Sequence, residues 1–250
     1  MMSEQIENQP SQPRQSIPVS WHLPAQKAYV TFTLIGLSVL VYILQIVSQL
    51  VYGSDIPLLL GAKINQYILA GEVWRFFTPM LLHGSILHIG FNMYALYVIG
   101  QGLEKQYGHA HFLLLYVLTG FCGNVASFIF SSAASLGAST AIFGLVAAEG
   151  VFIYKNQKLF GDQARKMLMN TVLIVVVNLM LGLSPGIDNF AHLGGLISGV
   201  AFTWFAGPVW ELRSDISGHH LENTVPNPRF YLAAAVVFLV FVIIAAFGWR

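Results

Sequence analysis

Seven apolar runs decide what this chain can become: residues 29–51, 82–100, 110–130, 139–154, 167–183, 190–206 and 230–247. A helix needs roughly 20 apolar residues to cross about 30 Å of hydrocarbon, and most of the runs approach that length. Between them they hold most of the chain's 56% hydrophobic residues, and only 9% of all residues are charged. A soluble domain carries roughly 25%, so the 12 Lys and Arg with 11 Asp and Glu cannot cover a soluble globule of this size. The fold class that follows is all-α, a polytopic helical bundle in lipid. A net charge of +1 argues against nucleic acid, which calls for a basic stripe. A single cysteine, Cys122, excludes an internal disulfide framework and a cysteine-cluster metal site.

The chain divides by composition into a flexible polar tail (1–28), a six-helix membrane unit (29–206), a polar linker (207–228) and one additional C-terminal transmembrane helix (229–250). The tail holds Pro10, Pro13, Pro18 and Pro24 and has no apolar periodicity; Glu4 and Glu7 argue against a transit peptide. With the N-terminus in the cytoplasm, Arg14, Lys27, Lys105, Lys155, Lys158, Arg165, Lys166, Arg213 and Arg229 lie inside, and only Lys63, Arg75 and Arg250 outside. That distribution sets the orientation, with the C-terminus outside. A bacterial plasma membrane is the default location, as no organelle-targeting segment is visible. The fourth, fifth and sixth runs are short, and a short, glycine-bearing span can end below the bilayer surface beside a water-filled cavity. Chemistry is expected there.

Polar side chains inside a membrane are costly and are functional candidates by default. Here they converge on one depth, in the outer half of the second, fourth and sixth runs. His88 and Asn92 are spaced i, i+4 and project from one helix face, where they can hold an anion or act as interhelical glue. His83 is rotated off that face and is read as support for the first loop. Ser139 opens the fourth run in Gly137-Ala138-Ser139; the glycine permits a tight turn, and the free N–H groups of a helix start suit a developing oxyanion. A serine nucleophile needs a base, and His192 is the candidate. Gly195 and Gly199 below it form a small-residue face that can approach Ala141 and Gly144 closely and bring His192 to Ser139.

The other polar groups have weaker readings. His83 and His88 are five apart with no acid between them, unlike the i, i+4 histidines of helical zinc proteases, so no metal or cofactor is expected. Glu149 lies about 15 Å deeper than Ser139, as a proton relay or as a glutamate hydrogen-bonded to Asn124 or Asn178. Asp188, four residues before His192, is a third triad member or a helix cap. His109, His111, His219 and His220 read as solvated, and Trp74 with Arg75 as an interfacial anchor.

Taken in order, Trp74-Arg75, His83…His88…Asn92, Glu104 and Gly108, Gly137-x-Ser139, and Ala191-His192-x-x-Gly195-x-x-x-Gly199 resemble the rhomboid family of intramembrane serine proteases over residues 71–206. The resemblance implies a Ser139–His192 dyad without an obligatory acid. It implies an oxyanion hole of His88, Asn92 and the Ser139 backbone N–H, with Phe143 packed on the catalytic imidazole. Trp74 and Arg75 would belong to a structured first loop in the outer interface. The implied activity is cleavage of peptide bonds in or near transmembrane segments of membrane-protein substrates, the partners besides lipid. One departure stands out: the usual glycine after the nucleophile is Thr140, which bears on the oxyanion hole or the substrate gate. The alternatives are a catalytically inactive rhomboid-like binder and a transporter using Glu149.

Overall fold

The computed structural model describes residues 27–215 and 218–249; all but the last two residues of the polar tail, and Arg250, fall outside them. The long helices are α1 (Tyr29–Tyr52), α4 (Ile86–Tyr107), α5 (His109–Phe130), α6 (Ser139–Lys155), α8 (Gln163–Leu181), α9 (Asn189–Ala206) and α10 (Asn227–Gly248). Short helices α2 (Ile56–Gly61) and α3 (Asn65–Leu69) and two 3-10 turns (Val73–Phe76 and Thr78–Leu81) shape the loop between α1 and α4, and α7 (Gln157–Phe160) joins α6 to α8. Of the long helices, α1, α4, α5, α8 and α10 are long and apolar enough to cross a membrane. Of the three runs expected to be short, the fifth forms α8, 19 residues and long enough to span, whereas the fourth and sixth form α6 and α9, 17 and 18 residues long, in the middle of the bundle against α5 and each other.

Glycine sets how closely these three helices approach. A Cβ built on Gly195 would lie 2.1 Å from the Thr140 carbonyl oxygen, and one on Gly199 2.4 Å from that of Gly144. Backbone thus meets backbone across the α6–α9 contact, an approach that any side chain would prevent. On the far side, α1 is hung on α4 by the fully buried Glu104, whose carboxylate accepts from the Val30 and Thr31 amides (both 2.8 Å) and the Thr31 hydroxyl (2.6 Å). Those amides belong to the first turn of α1 and have no partner within the helix. His109 joins the same carboxylate at 2.5 Å.

Composition misjudges the stretch 207–228. Its residues Trp210–Asp215 (β1) and Gly218–Asn223 (β2) pair antiparallel, with Leu212 opposite Leu221 and Arg213 opposite His220. Asn156 anchors this hairpin, accepting from the Trp210 amide (2.8 Å) and donating to the Pro208 carbonyl (3.0 Å). Nor does the stretch set α10 apart. That helix lies along α5, with His111 stacked on Phe230 at 3.8 Å at one end and Phe121 against Phe238 at 4.8 Å midway. At the other end Trp249 packs on Phe128 and Phe76 and donates to the Leu69 carbonyl (3.3 Å). His111 is therefore packed against α10, and His109, though its side chain stays 41% exposed, is tied to Glu104.

Candidate active site

The first loop is a built structure. Arg75 is buried, donating to Glu72 (2.6 Å) and to the carbonyls of Ala62 (2.7 Å) and Leu59 (2.8 Å) with its guanidinium over the Tyr67 ring. It is an internal organiser of the loop, which corrects its reading as an interfacial anchor. Trp74 remains half exposed, its indole N–H on the Leu60 carbonyl. Lys63 is fully buried; its ammonium donates to the Ser131 and Ala133 carbonyls (both 2.8 Å), and its backbone pairs with Ser135. Burial pushes the Lys63 pKa down to about 8, against an opposing pull from Asp188. The loop thereby clamps residues 131–138, the segment leading into Ser139.

That segment ends on Gly137, whose φ of 125° is a left-handed conformation that favours glycine. It also leaves no room for a side chain: a Cβ there would lie 2.7 Å from His88 Nε2 and 3.6 Å from Asn92 Nδ2. Gly137 therefore brings the start of α6 against the His88–Asn92 face of α4. His88 Nδ1 accepts from the Gly84 amide at 3.4 Å, so in the neutral ring Nε2 carries the proton and is a donor. Among the described residues the buried Asn92 amide nitrogen has no hydrogen-bond partner. His83 contributes differently from the expected loop support: its backbone N–H and C=O both bond the Gln45 amide of α1, while its ring lies edge-on to His88 at 5.2 Å.

Across from this face, Ser139 Oγ and His192 Nε2 are 2.9 Å apart, and Phe143 is stacked on the imidazole at 4.3 Å with the planes 15° apart. Asp188 caps α9, accepting from the Ala191 amide at 3.1 Å and from the Ser127 hydroxyl. The partner nearest His192 Nδ1 is instead Asn189 Oδ1, at 3.4 Å, a residue the sequence reading passed over although its i−3 spacing from His192 marks it. Glu149 meets neither amide proposed for it: Asn124 donates to the Phe76 carbonyl and Asn178 to that of Ile174. Among the described residues no group of three or more His, Cys, Asp or Glu could hold a metal ion. A cavity of about 120 Å³ opens beside Ser139, lined by Phe91, Asn92, Phe143, Ile174 and Asn178 among others.

The fold and site define an integral, multi-pass membrane protein with a serine–histidine pair among its central helices. Residues 70–209 match the Rhomboid domain, and the chain belongs to the rhomboid family. It is 38% identical over 174 residues to the Rhomboid protease GluP of Bacillus subtilis, covering 69% of this chain and 34% of that protein. It is 37% identical over 163 residues to RHOMBOID-like protein 1 of Arabidopsis thaliana, covering 65% and 40%. With the Rhomboid protease AarA of Providencia stuartii the identity is 32% over 199 residues, covering 68% and 69%. The chain thus spans little more than a third of the first two relatives and about two thirds of the third.

Proposed function

We propose that this protein is an intramembrane serine endopeptidase that cleaves peptide bonds in or near the transmembrane segments of other membrane proteins. The observation that carries the reading is the 2.9 Å contact between Ser139 Oγ and His192 Nε2, made at the start of α6, where Gly137 lies against the side chains of His88 and Asn92. Ser139 Oγ forms a bond to the scissile carbonyl carbon while its proton passes to His192 Nε2. The carbonyl oxygen, now an oxyanion, is held by His88 Nε2–H, the Asn92 amide and the Ser139 N–H. Collapse breaks the C–N bond, and the imidazolium protonates the leaving amine. Water then attacks the acyl-enzyme, giving its proton to His192, which returns it to Ser139 Oγ as the ester breaks.

The supporting residues have separate tasks. Gly137 admits the close approach of α4 to the serine, and Gly195 and Gly199 admit that of α9. Phe143 fixes the plane of the imidazole, and Trp74 and Arg75 order the first loop. A peptide bond within a regular helix is sterically hidden, so the substrate unwinds locally; the size of the cavity beside Ser139 suits a small side chain at the cleavage point. The distribution of Lys and Arg supports a cytoplasmic N-terminus, with the site opening to the opposite side.

The test is cleavage of a single-span substrate by purified protein in liposomes. Ser139→Ala and His192→Ala should each drop the rate below about a thousandth of wild type, and wild type but not Ser139→Ala should be labelled by a fluorophosphonate. Undiminished cleavage by Ser139→Ala overturns the assignment. Absence of both cleavage and labelling in wild type favours a non-proteolytic binder.

A further inference from the structure

Asp188 and Asn189 stand side by side at the start of α9, one turn from His192, and the structure uses them in opposite senses. The carboxylate is turned away from the imidazole, engaged by the Ser127 hydroxyl and the Ala191 amide. The neutral amide is turned toward it: Asn189 Oδ1 lies 3.4 Å from His192 Nδ1. The orientation of that amide is fixed from elsewhere, because Asn189 Nδ2 donates to the Leu179 carbonyl of α8 at 3.0 Å. Gly182, just past the end of α8, makes room for it; a Cβ there would lie 1.9 Å from Asn189 Oδ1. With the nitrogen spent on Leu179, the oxygen faces the ring, and an oxygen there is satisfied only by a protonated Nδ1.

We propose that Asn189 is a positioning residue for the base. Its amide oxygen accepts the Nδ1 proton of His192, which leaves the Nε2 lone pair facing Ser139, and its anchor on Leu179 makes that tautomer depend on the seating of α8. The inference rests on the protease reading for its kinetic consequence, but the tautomer itself is a property of the resting protein. A bond of 3.4 Å is loose at rest and shortens as positive charge develops on the ring. The titratable groups facing His192 are Asp188 at the start of its own helix and His88 across the cleft on α4; α6 presents Ser139 and Phe143.

Two variants separate the oxygen from the anchor. Asn189→Ala removes both contacts. Asn189→Asp keeps an acceptor for Nδ1–H and loses the donor to Leu179. In full-length protein labelled with ¹⁵N-histidine, the His192 signal being assigned by its loss in His192→Ala, wild type should show a protonated Nδ1 and a bare Nε2. Asn189→Ala should mix the two tautomers and lower kcat about fivefold to twentyfold, the scale of one hydrogen bond, with KM within about twofold of wild type. Asn189→Asp should hold the wild-type tautomer, and the acid limb of its rate profile should move up by about one pH unit, as a carboxylate beside the ring favours the imidazolium. Unchanged His192 nitrogen shifts in Asn189→Ala overturn the proposal, as do variants equally slow with unmoved pH limbs, which would assign the effect to the α8 anchor alone. The spectrum is read without substrate, so a wild type that cleaves nothing refutes the protease reading while the shifts still decide this one.

Discussion

Thr140 occupies the space that Gly123 leaves open: a Cβ on Gly123 would lie 2.1 Å from Thr140 Cγ2. The residue after Ser139 therefore points its methyl into the α5–α6 contact. Thr140→Gly should cost about 1–2 kcal/mol of stability from lost packing and helix propensity, with cleavage within about threefold of wild type. A hundredfold loss in a folded variant would place Thr140 in the oxyanion pocket. Gly123→Ala should destabilise by more than the 1–3 kcal/mol usual for overpacking. Thr140→Ala in the same chain should restore only part of this, since the added methyl also falls 2.4 Å from the Ala191 carbonyl oxygen.

Asp188 separates a dyad from a triad. Both its oxygens are engaged by Ser127 and the Ala191 amide; Asp188→Asn keeps an acceptor for that amide, so it should change stability by less than about 1 kcal/mol and kcat by less than about tenfold. A loss approaching 10⁴, the effect of removing a triad acid, would contradict this.

Stacking on the imidazole is worth about 0.5–1.5 kcal/mol beyond area, and the Phe143–His192 pair is nearly parallel. Phe143→Leu should therefore reduce kcat about threefold to tenfold with little change in KM, and Phe143→Tyr should keep it. An unaffected Phe143→Leu would show that the helix alone orients the ring.

Lys63 predicts a pH dependence outside the membrane span. Its pKa is lowered to about 8 by burial, so between that value and the unfolded lysine's the folded state binds fewer protons, and stability rises with pH. Compared with Lys63→Met, wild type should gain on the order of 1 kcal/mol between pH 7 and 9, allowing for screening by nearby solvent. Thermal unfolding of both proteins in detergent measures it; a gap that stays constant or moves the other way counts against a buried, partly neutral amine.

The serine and the histidine were legible because each breaks an apolar run, and glycines beside them announce close backbone. The burial of Arg75 and Lys63 was not, because a cation in a loop reads as an interfacial or outside charge until the chain is seen returning its carbonyls to meet it. Asn189 was hidden by position: at a helix start an asparagine resembles a cap, and only the carbonyl of Leu179, ten residues earlier on another helix, reveals which way its amide faces. The hairpin at 210–223 was obscured by its own alternation, Trp210-Glu211-Leu212-Arg213, which lowers the mean hydropathy to that of a linker. The docking of α10 depends on aromatic residues meeting in three places, and pattern on one helix says nothing of its partner.

The helices that flank the pair differ in how firmly they are held. Within the spanning window of α5, 78% of residues are buried inside the protein, against 11% in α8. Local opening is cheapest where fewest contacts are lost, so α8 is expected to loosen before α5. Ser139 rides on α6, wedged against α5, and keeps its place when α8 moves. The amide that faces His192 takes its bearing from Leu179 on α8 itself. The nucleophile is thus mounted beside the most buried of the spanning helices and the alignment of its base on the least buried, so that one helix working loose would detune the site without dismantling it.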